Sequence, residues 1–137
     1  GIAGPAIKKL MTDGQTTVGD RVVRLDDVSL FKKGQSVAFV MDTRMCDNAI
    51  ELARGVDLLI CESTYLDCDA DKAHENGHLT AAQAARIAAA AGARKLVLTH
   101  FSQRYTDVHP FVAEAREIFS NVVAANDGDT IPVPPRA

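Results

Sequence analysis

Three short polar clusters carry most of the chemistry open to this sequence: Asp42-Thr43-Arg44, Glu62-Ser63-Thr64, and His100-Phe101-Ser102-Gln103-Arg104. Each follows directly on the end of an apolar run. A carboxylate fixed at a rigid chain end suits a divalent cation and an imidazole suits a transition metal, so Asp42 and His100 are a candidate ligand pair. Two plainer roles compete: Asp42 as cap of a helix starting near Cys46, and His100 as a structural histidine. His78 follows Gly77 just ahead of a helical run. An imidazole with a pKa of about 6.5 suits proton transfer at neutral pH, against a plain loop position. Thr80 and the free N–H groups of that helix start are candidate phosphate contacts, and Arg104 could grip the same anion or simply be exposed.

The elements that position these groups alternate in period. Residues 36–41 (SVAFVM), 56–60 (VDLLI) and 95–99 (KLVLT) read as buried strands. Residues 46–54 carry helical spacing and end at Gly55, and residues 80–91 form an Ala-rich helix with Thr80 as N-cap and Gly92 as stop. A third helix is expected over 108–119, and two strands around a tight Asn-Asp-Gly-Asp turn over 122–131. The polar stretch 62–77 reads as a long loop or frayed helix. The first 35 residues are less regular, with Val22, Val23 and Leu25 suggesting a strand. Strand–helix alternation predicts a layered α/β architecture. Open α/β sheets place ligands beyond the carboxyl ends of their strands. If the strands are parallel, the three clusters converge on one edge.

Length and composition bound the rest. The chain has 137 residues, 47% hydrophobic and 24% charged, which suits one globular domain or half-domain over 1–137 and excludes disorder of the whole. No apolar run reaches the ~18 residues of a membrane span, and the start lacks a signal-peptide plan. A net charge of −3 argues against a general polyanion-binding surface. Three cysteines without a CxxC pair fit free thiols in a reducing compartment, most simply as buried apolar groups. His74 and His109 read as surface residues. The chain opens on Gly1, as expected of a processed chain or a piece of a longer one.

Taken in order, these strings resemble the C-terminal part of the ribonuclease Z family, tRNA 3′-end endonucleases of the metallo-β-lactamase fold. Gly4-Pro5 through Leu10 to Gly14, Val40-Met41-Asp42-Thr43-Arg44 and Cys61-Glu62-Ser63-Thr64 are similar to successive family segments. Gly77-His78-Leu79-Thr80, the run from Leu98 to Tyr105, and Ala125-Asn126-Asp127-Gly128 follow in the same order. Cys61 stands where the family has His, and Leu79 where it has Ser. The family's leading His-x-His-x-Asp-His motif is absent from the chain, as are a further histidine ligand and the tRNA-gripping arm.

The resemblance implies the C-terminal part of an αββα sandwich and zinc-dependent removal of the 3′ trailer from precursor tRNA. It also implies two Zn2+ per site, a homodimer, a cytoplasmic location and no membrane. Asp42 and His100 would be metal ligands; His78, oriented by Glu62, would give a proton to the departing 3′ oxygen; Arg104 and Thr80 would contact phosphate. The N-terminal part of the same enzyme is then a required partner, and this chain alone is expected to be inactive and nearly metal-free. Two other classes compete: a hydrolase of the same fold acting on small phosphodiesters or sulfate esters, and a non-catalytic α/β module whose polar strand ends are only caps.

Overall fold

Pro5 supplies the preset φ that suits a helix start, and α1 runs Pro5–Asp13 in the computed structural model, which describes residues 2–136. It ends at Gly14, whose left-handed φ of 74° lets its N–H reach the Leu10 carbonyl. Two compact units divide the chain, Gly1–Lys33 and Gly34–Ala137. In the first, β1 (Gln15–Val18) and β2 (Arg21–Arg24) pair antiparallel, from Gln15↔Arg24 to Val18↔Arg21. The strand expected around Val22 and Val23 is therefore present, but Leu25 leaves it to open α2 (Leu25–Val28). Asp26 and Asp27 in the first turn of α2 favour that helix start.

The second unit follows the predicted alternation. Its elements are β3 (Val37–Val40), α3 (Asp47–Leu52), β4 (Leu58–Glu62), a 3-10 turn (Asp67–Asp69), α4 (Ala70–Asn76) and α5 (Ala81–Ala91). β5 (Leu96–Thr99), α6 (His109–Arg116) and β6 (Val122–Ala124) complete it. The four strands form one parallel sheet in the order β3-β4-β5-β6. Alternation along each strand sends Ala38, Val40, Leu59, Cys61, Leu96, Leu98 and Val122 into one core with α5 and α6. α5 contributes Ala81, Ala84, Ala85, Ile87, Ala88 and Ala91, small side chains that let helix and sheet approach closely. Ile87 and Phe111 are fully buried, worth ~1.5–3 kcal/mol each in apolar burial. On the opposite face of β3, Val37 and Phe39 are exposed.

Three expectations need correction. Thr130 and Ile131 form no second strand after the turn. There Asn126 donates backbone and side-chain N–H to Asp129, closing the turn on itself, and Pro132, Pro134 and Pro135 cannot feed a ladder. Of the two readings of 62–77, the helical one holds over 67–76, where the 3-10 turn and α4 run, and the long loop does not form. Of the cysteines only Cys61 is buried; Cys46 and Cys68 are exposed, and all three are free.

A buried carboxylate fixes the end of the sheet remote from the polar clusters. Asp57, fully buried, accepts from Arg136 Nε at 2.6 and 2.7 Å, from the Ser36 N–H at 2.8 Å and from Arg94 at 3.0 Å. The Arg136 bond, with those of Ser36 and Arg94, holds its carboxyl well below the usual carboxylate range.

Candidate active site

The parallel register brings the polar clusters together. Val40 pairs with Cys61 and Glu62 with Thr99, so Asp42, Glu62 and His100 leave neighbouring strands at the same edge. Asp42 (φ 49°) and His100 (φ 60°) are the non-glycine residues with positive φ among the described residues. Asp and His tolerate that region better than most residues, yet it costs roughly 1–2 kcal/mol each unless the surroundings hold it. Here the two turns aim both side chains at one point. Asp42 Oδ1 lies 3.4 Å from His100 Nε2 and 3.9 Å from His78 Nδ1. The two imidazole rings are 5.3 Å apart. One ligand atom from each of Asp42, His78 and His100 falls within 4.8 Å of the others.

The capping role for Asp42 is not what the geometry displays. The N-cap of α3 is Cys46, and no side chain caps that helix. His100 likewise presents one ring nitrogen to Asp42 and the other to Thr64 Oγ1, at 2.9 Å.

Glu62 is the hub behind this edge. Fully buried, it accepts from the Thr43 N–H at 2.6 Å, the Thr64 hydroxyl at 2.7 Å and the Leu79 N–H at 3.1 Å. His78 Nδ1 lies 3.1 and 3.2 Å from its two oxygens. A carboxylate offers about four lone-pair sites, and these four partners fill them. The strand-end position of Glu62 is what lets one buried group organise three loops.

His78 owes its place to the end of α4. Gly77 adopts a left-handed φ of 80°, and the His78 N–H bonds the Ala73 carbonyl at 2.8 Å. Arg44 Nε donates to the His74 carbonyl at 2.6 Å, so the chain segment carrying Asp42 also grips the helix that presents His78. Neither Arg44 nor Thr64 had been assigned a role from sequence; only their location beside the strand ends marked them.

The two candidate phosphate contacts stand elsewhere. Thr80 is fully buried; its hydroxyl accepts from the Gln83 N–H at 3.1 Å and donates to Asp67 at 3.0 Å. Together with the Gln83 side chain it forms the reciprocal cap of α5. Arg104 lies 3.7 Å from Asp69 and stacks on the Tyr65 ring at 5.2 Å. That ring is 6.3 Å from His78, so Arg104 flanks the cluster. Cys61 points into the core, where burial and the Glu62 charge push its thiol up to about 12, which keeps it from acting as a thiolate.

A beta-lactamase superfamily domain model matches residues 9–101, and the chain belongs to that family. The parallel sheet with its helical cover is thus part of the metallo-β-lactamase sandwich. Among curated relatives, Ribonuclease Z of Nocardia farcinica is 55% identical over 99% of this chain and 45% of its own length. Ribonuclease Z of Salinispora arenicola is 52% identical over 99% of this chain and 44% of its own. Among solved structures, the short form of human tRNase Z matches with a TM-score of 0.59 and 34% identity, covering 83% of this chain and 37% of that one. The metallo-beta-lactamase fold protein YhfI from Bacillus subtilis gives 0.62 and 32%, covering 69% and 39%. The chain spans less than half the length of the curated relatives it matches.

Proposed function

We propose that the intact protein carrying this chain is a metal-dependent endoribonuclease of the ribonuclease Z type that removes the 3′ trailer from precursor tRNA. The observation that carries the proposal is the convergence of Asp42 and His100, both on strained backbone at the ends of β3 and β5 on either side of β4, beside a His78–Glu62 pair. The names of the relatives supply the substrate. Zinc, a pair of ions, a homodimer and a cytoplasmic setting follow from the same family reading.

The donors fit a metal. A carboxylate and an imidazole with its second nitrogen already bonded form the usual arrangement around zinc. Asp42 Oδ1 and His100 Nε2 would hold the ion. A catalytic zinc takes about three protein donors plus water, so further donors have to come from outside these residues. When bound, the metal supplies Lewis acidity at the phosphate and lowers the pKa of water.

His78 does the proton work in this reading. Its Nδ1–H faces the Glu62 carboxylate, which orients the ring and steadies it when charged, leaving Nε2 to protonate the departing 3′ oxygen. Thr80 is assigned to capping α5, on its buried hydroxyl. Arg104, on the flank, is left to contact substrate beyond the cleaved bond. The test is cleavage of a precursor tRNA with a 3′ trailer by the intact protein and its His100→Ala variant. Loss of bound zinc and of cleavage together supports the proposal. Near-wild-type zinc and turnover would overturn it, and turnover of a small chromogenic diester without tRNA cleavage would replace the substrate.

A further inference from the structure

We infer that Thr64 is a positioning residue that fixes which nitrogen of His100 carries the proton, an inference resting on the proposal that His100 is a metal ligand. The Thr64 hydroxyl has one hydrogen. Its oxygen lies 2.7 Å from Glu62 Oε2 and 2.9 Å from His100 Nδ1. Glu62 can only accept from its neighbours, because the other groups around it are the N–H groups of Thr43 and Leu79 and the ring of His78. The Thr64 hydrogen therefore points to Glu62. Its oxygen is then left as an acceptor, and His100 must bring the hydrogen on Nδ1.

The opposite arrangement is costly. A bare Nδ1 would need the Thr64 hydrogen, leaving a hydroxyl oxygen and a carboxylate oxygen in contact with no hydrogen between them. Thr64 is 6% exposed and Glu62 fully buried, so water cannot relieve that contact. Backbone bonds hold the geometry. The Ser63 N–H bonds the Thr99 carbonyl at 2.9 Å and the Ser102 N–H bonds the Thr64 carbonyl at 3.0 Å, stitching the two segments on either side of the hydroxyl–imidazole contact.

The consequence lies at the far side of the ring. With Nδ1 protonated, Nε2 carries the lone pair, and it is Nε2 that stands 3.4 Å from Asp42 Oδ1. One buried carboxylate thereby sets both imidazoles, His78 directly and His100 through Thr64. The bond made by one imidazole nitrogen decides the state of the other, and removing such a partner from a metal ligand typically weakens metal binding ~10- to 100-fold.

Nitrogen-15 NMR of the histidine rings in the intact, chelator-stripped protein, recorded at alkaline pH, reads this state directly. The wild type should show His100 protonated on Nδ1. Thr64→Val should shift the ring toward the Nε2–H form and weaken zinc binding about 10- to 100-fold in competition with a chromophoric chelator. Thr64→Ser, which keeps the hydroxyl, should retain both properties. An Nε2–H ring in the wild type, or an unchanged ring state in folded Thr64→Val, would overturn the inference. If Thr64→Val does not fold, the wild-type ring state and Thr64→Ser decide it: loss of the Nδ1–H state in a folded Ser variant overturns it, and retention upholds it. A wild type that shows the Nδ1–H ring yet binds no zinc would refute the metal assignment while leaving the role of Thr64 in place.

Discussion

Replacing Glu62 by Gln exchanges one carboxylate oxygen for an NH2 and tests the hub on which the site is built. The amide keeps one acceptor oxygen and puts an NH2 where the other stood. All four partners of Glu62 are donors, so the NH2 must face at least one of them. In the less damaging orientation it faces the Thr43 N–H, now 2.6 Å away, and that bond is lost. A hydrogen bond to a charged group is worth about 1.5–3 kcal/mol, and the bonds that survive fall to the strength of neutral ones. Glu62→Gln should therefore destabilise the fold by about 2–4 kcal/mol. His78 loses its orienting charge in the same step, so turnover of a natural substrate should fall by about 100- to 10,000-fold. Urea unfolding followed by far-ultraviolet circular dichroism, alongside single-turnover cleavage of precursor tRNA by the intact protein, reads both effects. A variant as stable and as fast as wild type would refute the claim that Glu62 acts as a saturated acceptor.

Three further outcomes follow from the same geometry. His78→Ala should slow cleavage by about 100- to 10,000-fold while leaving metal content intact, and loss of the metal on elemental analysis would instead make His78 a ligand. Asp57 has its carboxyl held below the ordinary value, so its contribution is fully present above about pH 4 and is lost as pH falls further toward its folded value. Acid unfolding should accordingly steepen below about pH 4 in wild type but not in Asp57→Asn; equal slopes would contradict this. With Cys46 and Cys68 exposed and the Cys61 thiol pushed up to about 12, a thiol reagent at mildly alkaline pH should label Cys46 and Cys68 in the folded protein, and Cys61 only after unfolding.

Much of the site was legible because strand ends are marked in sequence. An apolar run stopping at Asp42, at Glu62 and at Thr99-His100 locates three strand termini, and parallel pairing does the rest. α5 was equally plain, since Thr80, Gln83 and Gly92 form both ends of the helix as its capping chemistry demands. Thr64 and Arg44 were not assigned, because their roles depend on distances to residues 36 and 30 positions away. Thr80 carried two readings from the start, the cap of α5 and a phosphate contact. A Thr at a helix start is equally suited to a ligand or to a cap, and the cap shows only in its burial and its bonds to Gln83 and Asp67. Asp57 stood unremarked inside the run read as a strand, because its partner Arg136 lies 79 residues on.

Zinc content and cleavage measured together on the intact protein and its Asp42→Ala variant bear most directly on the proposed centre. Wild type should carry zinc and remove the 3′ trailer, and the variant should lose both, since Asp42 Oδ1 faces both imidazoles, 3.4 Å from His100 Nε2 and 3.9 Å from His78 Nδ1. A folded Asp42→Ala protein that retains its metal and its turnover would contradict the metal centre at these strand ends.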